Sequence, residues 1–264
     1  MVIRVLGPVH PRIPRTLAAA VLGLAVLAGC SSGTAEKDTA PASAATPPAT
    51  SATPAATGEP CFNPEGGACL GPLQPGTYRT TVFQPALSYT VPEGWVNAED
   101  LIGNVLLYRK DDPQEGFVGG SYMGIYADVR APEGCQETTA DGVGHTPADL
   151  VAWLARQPGL ATSRPQPVQV AGQEGLVVDV PLKKGWRQPC PWSEGRPVVP
   201  VIIGSGVSQL LHASLHEIDV RLLLLPWRDT NVTIEITSAK SQHSRQEYLR
   251  MVEPIIRSLR FRDR

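Results

Sequence analysis

Large apolar residues fall into three regimes along the chain. From Leu17 to Gly29 apolar positions run without a break; from residue 31 to 60 large apolar side chains vanish; beyond residue 76 they recur in short groups parted by Gly and Pro. The third regime carries the fold. Gly76 to Thr81, Leu87 to Val91, Val105 to Tyr108 and Tyr122 to Val129 have the short, β-branched and aromatic character of strands. The Leu87 run alternates apolar with polar and stops at the turn Pro92-Glu93-Gly94, ahead of a core aromatic at Trp95. Further strands are expected at Pro167 to Val170 and Leu176 to Val180, parted by Gly172, then at Val198 to Ile203, Val220 to Leu225 and Val232 to Thr237. Ser258 to Phe261 reads as a closing strand.

Two stretches switch to helical spacing. One opens at Thr146, with Pro147 at the first helical position and Asp149 at the third, a capping pattern. Leu150, Val151, Trp153 and Leu154 form its apolar face, and Pro158-Gly159 ends it. The other opens at Ser244 with Glu247 three residues on, again a capping box, and Tyr248, Leu249, Val252 and Ile256 are expected to face inward. Pro254 should kink it or end its regular part. There is no internal repeat. The fold class that follows is α+β, a mainly antiparallel sheet covered by a few helices.

The first two regimes place that domain. Arg4, Arg12 and Arg15 precede the apolar run with no acidic residue among them, and thirteen apolar residues are too few to span a bilayer core of about 30 Å. They suit a signal peptide, residues 1–29. The run ends in Leu27-Ala28-Gly29-Cys30, which resembles a lipobox, and the resemblance implies cleavage before Cys30 and lipidation of its thiol with diacylglyceryl and palmitate-type chains. Two or three acyl chains anchor firmly where one exchanges. In residues 31–60, 24 of 30 positions are Ala, Thr, Pro or Ser. Such a tract cannot bury enough surface to offset its ordering entropy, so residues 30–60 are expected to form a disordered tether. Residues 61–264 then make one extracytoplasmic domain, long enough for a sizeable core.

Charge and cysteines narrow the setting. The net charge is −2, and losing the three signal arginines leaves −5 with no basic patch, so nucleic acid is excluded as a partner. Besides Cys30 the chain has Cys61, Cys69, Cys135 and Cys190, an even set that reads as two disulfides in an exported protein. Three pairings are open; the favoured one joins Cys61 to Cys69 and Cys135 to Cys190.

Candidate chemistry is sparse. His212-x-x-x-His216, with Glu217 and Asp219 after it, would put two imidazoles on one helix face, but the sequence offers no third metal ligand. Gly204-Ser205-Gly206 lacks both the third glycine and a P-loop lysine, and Ser205 lacks the glycines of a nucleophile elbow. Lys110 to Gly116 clusters three carboxylates without calcium-loop spacing and reads as a solvated turn. Trp186 and Trp192, close to Cys190, read as packing on a disulfide rather than as a partner surface. No catalytic, metal or cofactor residue is assigned.

Several segments carry a family resemblance. Phe83-Gln84-Pro85-Ala86-Leu87-Ser88-Tyr89-Thr90-Val91-Pro92-Glu93-Gly94-Trp95, Leu150 to Leu160, Gln169 to Gly175 and the ending Pro254 to Phe261 resemble actinobacterial-type exported lipoproteins. The layout of residues 76–262 is similar to the PsbP-like fold, an α-β-α sandwich used mostly for protein binding. The shared motifs are structural. The resemblance therefore implies a lipid-anchored module on the extracytoplasmic face of the cell membrane, binding a protein, glycan or lipid of the envelope. An envelope hydrolase with a dispersed active site, which would bring one of His145, His212 and His216 to a serine such as Ser205 and a carboxylate such as Asp141, or a lipid or glycolipid carrier, are the competing expectations.

Overall fold

Side chains that alternate along a strand leave through opposite faces of its sheet, and here that alternation sorts the core into two layers. The computed structural model describes residues 2–3, 70–112, 120–204 and 211–262, all within one compact unit. The elements begin with β1 (Val2–Ile3), β2 (Gly71–Leu73), β3 (Gly76–Arg79), β4 (Ala86–Val91), β5 (Trp95–Asp100), β6 (Asn104–Arg109) and β7 (Tyr122–Ala127). Then come α1 (Pro147–Ala155), β8 (Gln166–Val170), β9 (Gln173–Asp179), β10 (Val198–Ile203), β11 (Leu211–Leu215), β12 (Ile218–Trp227) and β13 (Thr230–Ala239). α2 (Arg245–Ser258) and β14 (Arg260–Arg262) close the chain.

An eight-stranded antiparallel sheet runs β2-β5-β6-β7-β13-β12-β9-β8, flanked by two three-stranded sheets, β14-β4-β3 and β1-β11-β10. Its centre is the β12–β13 hairpin, ten residues a side, in register from Ile218 opposite Ala239 to Trp227 opposite Thr230. The β8–β9 hairpin turns at Ala171 and Gly172, both at positive φ (53° and 80°), the geometry a two-residue turn requires and glycine supplies without strain. The architecture is the α+β, mainly antiparallel one expected.

On one face of the main sheet, Leu223, Leu225, Val232, Ile234 and Ile236 pack with Leu87, Tyr89 and Val91 of β4 and with α2. On the other, Val220, Leu222 and Leu224 pack with α1 and with β10 and β11. α1 begins as its sequence suggests: Thr146 and Asp149 form a reciprocal capping box, and Leu150, Val151, Trp153 and Leu154 are buried.

The second helix departs from expectation. It continues past Pro254 to Ser258, because Pro254 lies on the exposed side where a carbonyl without its intrahelical partner stays hydrated. Its buried positions are Tyr248, Val252 and Ile255, with Leu259 just beyond. Steps of four and three residues keep these on one face, so Ile255 takes the place expected of Ile256, which is half-buried.

Cys135 and Cys190 form a disulfide with Cα atoms 5.5 Å apart. It joins the segment after β7 to the one before β10. The Trp192 indole N–H donates to the Cys135 carbonyl (2.8 Å) and the Trp186 indole N–H to the Val198 carbonyl (3.1 Å), so both tryptophans pack around the bridge. Cys30, the tether and Cys61–Cys69 lie outside the described residues.

Candidate functional site

The face of β13 that looks toward β11 is polar, and it is buried. Val232, Ile234 and Ile236 point to the α2 layer, leaving Thr233, Glu235 and Thr237 on the opposite face, each with no exposed surface. Tyr122, Gly124 and Tyr126 of β7 stand opposite Thr237, Glu235 and Thr233. A Cβ on Gly124 would lie 2.0 Å from the Tyr126 hydroxyl, so only glycine lets the Tyr126 ring fold back over the sheet beside Glu235.

From β11, His212 completes the cluster. Its Nδ1 lies 2.6 Å from Glu235 Oε2, and both side chains are fully buried. The approach is poorly aligned, and among the described residues neither His212 ring nitrogen completes a hydrogen bond. The Tyr122 hydroxyl donates to the same Glu235 oxygen at 3.0 Å. The Tyr126 ring sits 4.4 Å from the imidazole, tilted by 60°. At the rim, the Asn104 amide donates to the Glu99 carboxylate.

Electrostatics set the charge of this cluster. Burial pushes the Glu235 carboxyl up, but the His212 imidazole, the charge of the chain's amino terminus and the Tyr122 hydroxyl outweigh it, lowering it from 4.5 to about 2. Burial, seconded by the negative charge on Glu235, pushes the Tyr122 hydroxyl well above its ordinary value. Burial does the same to Tyr126, with Tyr122 and Glu235 adding to it. The result is a carboxylate held charged beneath two neutral phenols and beside the His212 imidazole.

The histidines singled out in sequence are dispersed. His212 and His216 do not share a helix: His212 is on β11 and His216 in the turn after it, where its Nε2 meets the Trp186 carbonyl at 3.3 Å. The run Leu-His-Ala-Ser-Leu is strand because β10 is there to pair with it. His145 Nδ1 lies 3.4 Å from Asp128, whose carboxylate is also held by Arg130 at 2.7 Å and Thr230 at 2.5 Å. Asp141 is exposed elsewhere, and Ser205 lies outside the described residues. Among the described residues no group of three or more His, Cys, Asp or Glu could hold a metal ion.

One acidic residue expected in a solvated turn is not solvated. Asp112 is buried and accepts from His243 Nε2 at 2.7 Å, with the Tyr248 ring stacked on the imidazole. Two open grooves lie apart from the Glu235 cluster. One, about 610 Å³, runs between Thr146–Ala148 and the β8–β9 hairpin. The other, about 440 Å³, lies beside Trp227, Arg228 and Arg262.

No protein-family model matches the chain, and no curated protein matches its sequence. A protein from Bacteroides thetaiotaomicron, known from a crystal structure at 1.50 Å, is similar at 14% identity and a TM-score of 0.36 over 72% of this chain; the match spans half of that protein's length. The solution structure of cyanobacterial PsbP (CyanoP) from Synechocystis sp. PCC 6803 is similar at 11% identity and a TM-score of 0.33, covering 76% of this chain and all of that one. Likenesses at these values attach neither protein's role to this chain.

Proposed function

We propose that the protein is a lipid-anchored binding module of the cell envelope, held on the extracytoplasmic face of the membrane through Cys30, with the Pro- and Ala-rich tract joining that anchor to its α+β domain. One observation carries the reading: the arginine-bearing start and thirteen-residue apolar run end in Leu27-Ala28-Gly29-Cys30, and a Pro- and Ala-rich tract follows at once. Only a thiol can form the thioether, and small residues before it let the scissile bond enter a protease at the membrane face. The Cys135–Cys190 disulfide supports the same compartment, since such bonds persist outside the cytosol. Among the described residues no helix is long and apolar enough to cross a membrane.

Binding is preferred to hydrolysis because Glu235, a fully buried carboxylate, faces phenols and an imidazole. Such an arrangement supports recognition of charge rather than bond cleavage.

The test is cell fractionation of wild type and Cys30→Ala. Wild type stays with the membrane and incorporates labelled palmitate; the variant moves to the medium unlabelled. Membrane retention of the variant ends the reading.

A further inference from the structure

The small sheet has an edge that depends on the precursor. Its order is β1-β11-β10, so β11 pairs on one side with β10 and on the other, among the described residues, with Val2–Ile3 alone. Val2 stands opposite His212 and Ile3 opposite Leu211. This inference rests on the lipoprotein reading, under which residues 1–29 leave the mature chain. β1 goes with them. The backbone groups of Leu211 and His212 then lose their partner at a place where such groups need one, beside a fully buried imidazole and carboxylate.

We propose that the β11 edge beside Glu235 is a ligand site of the mature protein, which takes an extended peptide as an added strand and its free α-amino group against the Glu235 carboxylate, the precursor's Val2–Ile3 segment being a placeholder for it. Three features converge on this chemistry. The edge is already used for antiparallel pairing, which shows that an extended backbone fits there. Glu235 lies 2.6 Å from His212 Nδ1 and accepts from the Tyr122 hydroxyl, contacts that favour its charged form without the precursor's amino terminus, and the Glu99 carboxylate acts on Tyr126, so the cluster is acidic. The Tyr122 hydroxyl oxygen can accept from an ammonium group, and the Tyr126 ring offers it a π face.

Pairing of backbone alone is indifferent to side chains, so the amino group gives the site its selectivity. A peptide with a blocked terminus keeps the ladder bonds but buries Glu235 without its counter-charge. Loss of one charge-assisted contact of this kind corresponds to about tenfold in affinity.

The experiment uses mature lipoprotein purified from membranes in detergent, with its intact mass measured first. The probe is the synthetic peptide Met-Val-Ile-Arg-Val-Leu, with a free or an acetylated terminus, titrated by isothermal calorimetry. The acetylated form also controls for partition into micelles. With a mass starting at Cys30, the free peptide binds saturably, and acetylation weakens it about tenfold. Glu235→Gln weakens the free peptide by the same factor and leaves the acetylated one unchanged. Tyr122→Phe, which keeps the ring, weakens the free peptide by a smaller factor and serves where the glutamine variant does not fold. No saturable binding, or equal binding of both peptides, overturns the site while the anchor stands. A mass that still contains residues 1–29 overturns the anchor reading, and this inference with it.

Discussion

The two faces of β13 are built from the same ten residues and share the same degree of burial, yet they are made of different matter. Toward α2 the strand presents Val232, Ile234 and Ile236, packed on Tyr248, Val252 and Ile255. Toward β11 it presents Thr233, Glu235 and Thr237, under Tyr122, Tyr126 and His212. The first layer is stable for a reason any protein shares: apolar area leaves water at about 25 cal/mol per Å². The second must offset the loss of hydration of a carboxylate, an imidazole and several hydroxyls with contacts among themselves, a balance that is near neutral in most proteins. A strand that carries both sets a layer that stabilises the fold beside one whose net contribution is near zero.

Single substitutions separate the layers most sharply. In the full chain, Glu235→Ala leaves His212 buried without its carboxylate and should cost about 3–5 kcal/mol. Ile234→Ala, on the other face of the same strand, opens a cavity and should cost about 2–4 kcal/mol. The decisive partner to these is the double replacement Glu235→Leu with His212→Leu, expected to be neutral or stabilising by about 1–4 kcal/mol, because nothing polar is left to desolvate. Urea midpoints of the four proteins rank these effects. A double variant as weak as Glu235→Ala alone would show that the polar layer stabilises the fold, and the contrast between the faces would collapse.

Acid should act on one layer only. The Glu235 carboxyl is lowered in the fold, from 4.5 to about 2, through the positive charges and the hydroxyl around it, against the effect of its own burial. A group with a depressed folded value contributes stability that is present above about 4.5 and lost as pH falls toward 2. The apolar layer has no such dependence. Urea midpoints of the full chain should therefore fall more steeply between these limits than those of Glu235→Gln. Parallel curves would mean that Glu235 is not held as a carboxylate.

The apolar layer was legible from the chain, and the polar layer was not, for a physical reason. Alternation tells that a strand has two faces but not what covers the second. Thr233-Ile234-Glu235-Ile236-Thr237 has the pattern of a strand wetted on one side; only β11 folding over it makes Glu235 an interior residue. β11 was itself obscured, since the spacing of His212 and His216 is also that of one helix face, and pairing with β10 decides between the two. β5 was passed over because Glu99 and Asp100 look like loop residues. Asp100 is in fact fully buried, accepting the backbone N–H of Thr81 at 2.8 Å and of Phe83 at 3.0 Å. By contrast, both helix starts were placed at the right residue, because a cap is a contact between residues three apart and needs no tertiary partner, although the box expected at Ser244 and Glu247 makes only one of its two bonds.

Those caps offer the smallest test of the comparison, since α1 belongs to the layer that holds Glu235 and α2 to the apolar one. At α1, Thr146 Oγ1 accepts from the Asp149 N–H at 3.2 Å, and the Asp149 carboxylate accepts in return from the Thr146 N–H and hydroxyl at 3.2 and 2.6 Å. The residue before it is also tied to β13, the Asn231 amide donating to the His145 carbonyl at 2.8 Å. At α2, Ser244 accepts from the Glu247 N–H at 3.3 Å. α1 is also the shorter, nine residues against fourteen, so each end group matters more to it. Thr146→Ala is therefore expected to cost about 1–2 kcal/mol and Ser244→Ala about 0.5–1 kcal/mol. Exchange of the Asp149 and Glu247 amide hydrogens should speed up in the same order. If the two substitutions cost the same, the return bond from Asp149 adds nothing, and α1 is held in place by its buried face alone.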